Sequence, residues 1–146
     1  MKTLNIPRST AFEFIGDENF SRENLSWLSI GEPFVPDSYV SNKYLEGSPH
    51  LRLAFWDVIE PIEGLWGEIY NPPTKEHAAK IVDFLKENRG RNILVNCAAG
   101  ISRSGAVCAF LEKHMNYEWL PAGKQRTYKK HGPNLKLLEL MEECYL

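Results

Sequence analysis

The stretch that most constrains this chain runs from Ile93 to Leu111. Ile93-Leu94-Val95 is apolar and mostly β-branched, which suits a strand covered within a parallel sheet. Cys97 stands where that strand should end. The small and turn-tolerant residues Ala98-Ala99-Gly100-Ile101-Ser102 follow, and Arg103 closes the loop. Gly105-Ala106-Val107-Cys108-Ala109-Phe110-Leu111 then reads as a helix, with Ser102 or Ser104 available as its cap.

That order has a chemical consequence. A loop feeding a helix N-terminus turns several backbone N–H groups toward one point, and the helix dipole adds positive potential there. Such a nest holds an oxyanion. Arg103 adds a planar fork suited to two phosphate oxygens. The same field favours a thiolate, so Cys97 is expected to have a lowered pKa and to be nucleophilic. These parts together describe in-line attack of a thiolate on a phosphate ester.

Cys97-x5-Arg103, with Gly100 at the third loop position and Ser104 after the arginine, resembles the signature of cysteine-dependent protein tyrosine and dual-specificity phosphatases. The apolar strand before it and the helix after it make the match specific. The resemblance implies a hydrolase of phosphorylated proteins or peptides that needs no metal or other cofactor. Cys97 would be the nucleophile. Arg103 and the N–H groups from Ala98, Ala99, Gly100, Ile101, Ser102 and Arg103 would hold the phosphate oxygens, and Ser104 would donate to the sulfur. An aspartate after the preceding strand serves that family as general acid and then base, and Asp57 holds the matching place. The residues alone leave Glu60, Glu63 and Glu68 as rivals for that role. One position departs from the pattern: Asn96 stands where the family has a histidine, and an amide cannot be cationic. The compact size and short N-terminal section resemble dual-specificity and small bacterial or phage-type members.

The rest of the chain supplies a frame. Met1 to Gly31 reads as an edge strand or arm, then a short helix begun by the capping-box spacing at Thr10-Ala11-Phe12-Glu13, then a strand over Leu25–Ile30. Residues 32–49 read as a long connection in which Ser41-Asn42-Lys43-Tyr44 could line a pocket. Leu51–Trp56 alternates as a second strand ending at Asp57. Val58 to Pro73, with Trp66 and Tyr70, reads as a loop able to move over the site. Thr74 to Asn88 is the clearest helix, capped by Thr74 and burying Ala78, Ile81, Val82, Phe84 and Leu85. His77 reads as structural. After the helix that follows the loop, Glu118-Trp119-Leu120-Pro121 breaks the pattern. Pro121 starts a helix to about Lys130 whose Lys124, Arg126, Lys129 and Lys130 form a basic face. A last amphipathic helix begins after Pro133-Asn134, which also resembles compact dual-specificity phosphatases.

The expected fold is α/β: a twisted, mostly parallel central sheet of about four to five strands flanked by helices, with a phosphatase-like phosphate loop between a strand and a helix. At 146 residues it reads as one domain. A net charge of −2 gives no reason to expect nucleic acid or membrane as a partner. Three cysteines without a Cys-x-x-Cys pair argue against a disulfide framework or zinc site, and a reactive thiol suits the cytoplasm. The first residues lack the apolar core of a signal peptide. Two other classes share a cysteine in an anion loop: a phosphate-binding module with little turnover, for which Asn96 argues, and a rhodanese-like sulfur transferase or arsenate reductase. No Lys or Arg lies inside the loop to neutralise further phosphates, which favours a singly phosphorylated substrate. Oligomeric state is not legible.

Overall fold

A computed structural model of the chain describes residues 1–14, 20–35, 40, 45–130 and 132–146. β1 (Lys2–Pro7) leads into a 3-10 helix (Arg8–Phe14), and β2 (Leu25–Gly31) and β3 (His50–Ala54) follow. A small hairpin of β4 (Ile62–Glu63) and β5 (Ile69–Tyr70) precedes α1 (Lys75–Glu87). Then come β6 (Asn92–Cys97), α2 (Arg103–His114), β7 (Glu118–Trp119), α3 (Pro121–Lys130) and α4 (Leu135–Tyr145).

The central sheet has five strands in the order β3-β2-β6-β1-β7, and every neighbouring pair is parallel. All strand C-termini therefore share one edge, where ligands bind in open α/β sheets. Cys97 and Gly31 lie on that edge, with Asp57 three residues beyond β3. One face of the sheet packs Ile93, Val95 and Cys97 against α1, α2 and α4. The other packs Leu4, Ile6, Trp27 and Leu94 against Ala11, Phe20, Val40 and Leu45.

α1 forms as its sequence predicts. Thr74 accepts from the His77 amide, and the His77 ring accepts from the Thr74 amide, so a histidine completes the capping box. The expected five apolar residues are the ones it buries.

Four expectations need correction. β1 is not an edge strand or arm. It lies between β6 and β7, because its polar Thr3 and Asn5 are buried with hydrogen-bond partners rather than turned to solvent. The break at Glu118–Trp119 is a short strand paired with β1, and it forms the edge of the sheet on that side, β3 forming the other. The segment at Thr10 is a 3-10 helix that begins at Arg8, and the Thr10 hydroxyl donates back to the Pro7 carbonyl instead of capping a new helix. The proposed loop Val58–Pro73 carries the β4–β5 hairpin, with Trp66 91% exposed near its tip. Ser41-Asn42-Lys43-Tyr44 lies outside the described residues. Among the described residues, no helix is long and apolar enough to cross a membrane.

Candidate active site

Cys97 is the last residue of β6, and its side chain is buried at the sheet edge. Its Sγ lies 3.1 Å from the Ser104 hydroxyl oxygen in the first turn of α2. Ser104 is therefore not a cap. Ser102 occupies the cap position, but its side chain makes no cap hydrogen bond. The Ser102 hydroxyl instead donates to Asp57 Oδ1 at 2.8 Å. Ala98, Ala99, Gly100, Ile101 and Ser102 make the turn between β6 and α2.

Arg103 is buried, with 4% of its surface exposed. Its Nη1 donates to the Gly31 carbonyl at 3.2 Å and to the Phe55 carbonyl at 2.8 Å. Its Nη2 pairs with Glu32 Oε1 at 2.6 Å. The guanidinium is thus pinned to the ends of β2 and β3. Among the described residues, its Nε is buried with no hydrogen-bond partner. A buried charged donor left without an acceptor is costly, and an anion within its reach would relieve that cost. Glu32 carried no sequence signal for this role, since a carboxylate after a strand ordinarily reads as a solvated turn residue.

The back of the loop is held by residues that sequence reasoning missed. Asn5 Nδ2 donates to the Gly100 carbonyl at 3.0 Å and to Thr127 Oγ1 at 2.8 Å, and Asn5 Oδ1 accepts from Trp119 Nε1 at 2.9 Å. Thr127 Oγ1 lies 3.1 Å from the Ile101 carbonyl oxygen. Asn5 and Thr127 are fully buried. Gly100 adopts a left-handed φ of 67°, and a Cβ there would run into the Ile6 carbonyl carbon and the Pro7 nitrogen. Only glycine fits a turn pressed this closely against β1.

Asp57 sits at the front. Besides Ser102, Asn134 Nδ2 donates to its Oδ1 at 2.9 Å. The same Asn134 caps α4 through its Oδ1 and donates its backbone N–H to the Ser102 carbonyl. It thereby joins α4, the loop and the aspartate. The Pro-Asn pair was legible as a helix start, but its reach to Asp57 was not. The glutamate rivals lie elsewhere. Glu68 accepts from Trp66 N and Tyr70 Oη inside its own hairpin, and its own backbone N–H, then the Tyr70 and Trp66 bonds, hold its carboxyl below the usual range. Glu60 and Glu63 are exposed.

Asn96 points to the face opposite Cys97. Its Oδ1 accepts from Trp27 Nε1 at 3.0 Å, and its Nδ2 is buried with no partner among the described residues. Burial pushes the Cys108 thiol far up from its ordinary pKa, so it is an inert packing group. His77 serves the α1 cap and packs on the Phe55 ring. In the basic face of α3, Lys124 pairs with Glu112, and the side chains of Lys129 and Lys130 lie outside what is described.

No protein-family model matches the sequence, and no curated protein matches it by sequence. Solved structures do match the fold. The active form of Tk-PTP, a protein tyrosine phosphatase, superposes with a TM-score of 0.53 at 18% identity, over 97% of this chain and 88% of that one. A glycine-to-alanine mutant form of Tk-PTP gives 0.51 at 17% identity, over 98% of this chain and 89% of the other. The likeness spans nearly the whole chain, so the α/β fold expected from the sequence is the one observed, and it is the fold of a protein tyrosine phosphatase.

Proposed function

We propose that this chain is a phosphoric monoester hydrolase acting on phosphotyrosine, and also on phosphoserine or phosphothreonine, in proteins or peptides. The observation that carries the reading is one cluster. A buried cysteine sulfur at a strand end lies beside a hydroxyl, in the same loop as a buried arginine whose Nε has no partner.

The reaction has two steps. Cys97, as thiolate, attacks phosphorus; the S–P bond forms as the P–O bond to the alcohol breaks, and Asp57 gives its proton to the departing oxygen. A water then attacks the cysteinyl-phosphate, Asp57 takes the water's proton, and the P–S bond breaks to release inorganic phosphate. Arg103 and the amides of Ala98 to Arg103 face the equatorial oxygens, where charge accumulates in both transition states. The Ser104 hydroxyl donates to the sulfur as it leaves. Glu32 and the carbonyls of Gly31 and Phe55 hold the guanidinium in place beforehand, so little reorganisation is needed when phosphate arrives. Ser102 and Asn134 hold Asp57 at the loop. A thiol that must stay reduced suits a cytoplasmic setting.

A second reading, phosphate binding with little turnover, is favoured by Asn96, which reaches Trp27 and not the loop. The shared fold weighs against sulfur transfer. One experiment separates the first two. Wild-type protein in chelator is expected to hydrolyse p-nitrophenyl phosphate and to be inhibited by vanadate, while Cys97→Ser binds phosphate analogues without turnover. Binding without hydrolysis by the wild type would leave only the second reading.

A further inference from the structure

Beside Asp57 lies a hollow of about 430 Å³ that the chemistry above does not use. Three of its lining residues, Asp57, Ser102 and Asn134, belong to the candidate site. The rest of its wall is largely aliphatic: Val58, Ile59 and Ile62 from the segment after β3, and Pro133 and Leu135 from the start of α4. Ile59, Ile62 and Leu135 are 62%, 47% and 66% exposed. Three large aliphatic side chains around one hollow differ from apolar residues scattered over a surface.

We infer that this hollow is a subsite for an aliphatic side chain next to the phosphorylated residue of a peptide substrate. The inference rests on the hydrolase reading for its place in catalysis. The oxygen that Asp57 protonates is bonded to the rest of the substrate, so the substrate must leave the phosphate loop past Asp57. The hollow opens there and is continuous with the loop through Ser102. Its volume falls within the range of small-ligand pockets, about 300–1,000 Å³. Charge narrows the occupant further. Residues 57–70 carry Asp57, Glu60, Glu63 and Glu68 and no lysine or arginine, with Glu60 and Glu63 exposed. An acidic flanking residue is repelled there, and an aliphatic one loses water against Ile59, Ile62 and Leu135.

The test compares phosphotyrosine peptides carrying Leu, Ser or Asp on either side of the phosphoresidue. At one flanking position kcat/KM for Leu is expected to exceed that for Asp by about tenfold or more, the scale on which apolar pockets discriminate. Ile62→Ser and Leu135→Ser should erase that preference and leave p-nitrophenyl phosphate hydrolysis unchanged, because that substrate has no flanking residue. The same peptides titrated into Cys97→Ser give the ratio as affinities, independent of turnover. A Leu preference in binding without wild-type hydrolysis supports the subsite and removes the hydrolase reading. Equal values for all peptides, a preference that survives both serine variants, or variants that lower p-nitrophenyl phosphate hydrolysis as much as peptide hydrolysis would each overturn the subsite.

Discussion

The loop between Cys97 and Arg103 has a back and a front, and they are built differently. Behind it, Asn5, Thr127 and Trp119 form a buried network on the Gly100 and Ile101 carbonyls. In front, Asp57 is exposed and held by two side chains, and the hairpin that follows carries exposed Ile62, Leu65 and Trp66. The back is over-determined: each polar atom that is removed strands another in a dry interior. The front is tied at few points and borders the hollow. The contrast teaches a division of labour. On the proposed reading, the cup that would meet a fixed phosphate geometry is locked to the sheet, while Asp57, the proposed acid, and the surface proposed to meet the substrate's variable part are held lightly.

The sharpest way to break this contrast is at Gly100. Gly100→Ala would force the loop off β1, and displacement of this order costs about 10²-fold or more in turnover. Aryl phosphate kinetics and a thermal melt should both show it.

Next come two substitutions that should fail in opposite ways. Asp57→Asn is expected to lower kcat by about 10²-fold, the scale of a lost general acid, with stability changed by under about 1 kcal/mol. Asn5→Ala strands the Gly100 carbonyl, Thr127 and Trp119, and should cost about 2–3 kcal/mol in urea unfolding. If Asn5→Ala were neutral in stability, the back would be no more locked than the front.

A smaller effect tests the α1 cap. Burial holds the His77 imidazole below its ordinary value of about 6.5, with Glu76 and Lys80 as lesser, opposing influences. The unfolded chain therefore takes up this proton first as pH falls. Stability should decline as pH drops through about 6.5 and level off below the folded-state value. Protonation also removes the ring acceptor of the Thr74 amide. The His77→Gln variant should flatten this part of the stability profile; an unchanged slope would assign it to other groups. The smallest effect belongs to the hairpin tip, where Trp66→Ser should shift stability by less than about 0.5 kcal/mol.

What could be read in advance depended on the range of the signal. The strand–loop–helix at Cys97 and the α1 face are local patterns, set by residues within a turn or two of each other, and both formed as expected. Asn5 touches Gly100, Thr127 and Trp119 across most of the chain, and a polar residue near a terminus reads as exposed until its partners are placed. For the same reason the sequence around Thr3 and Asn5 reads as an edge although β1 lies between β6 and β7. Glu32 and Asn134 were likewise hidden: their local context marks a turn and a helix cap, and their second roles arise only when β2, β3 and α4 converge on the loop. Glu118–Trp119 was too short to carry a strand pattern.

The most direct test of the central claim, that the Cys97 sulfur accepts a phosphoryl group, is acid-quenched intact mass spectrometry of Asp57→Asn mixed with an aryl phosphate. The leaving group of such an ester needs little protonation, so the first step proceeds while the second, lacking its base, is slowed. The expected result is one added phosphoryl group, mapped to Cys97 and missing from the Cys97→Ser, Asp57→Asn double variant. Steady wild-type hydrolysis with no adduct at Cys97 in any variant, or an adduct that persists when Cys97 is replaced, would contradict it.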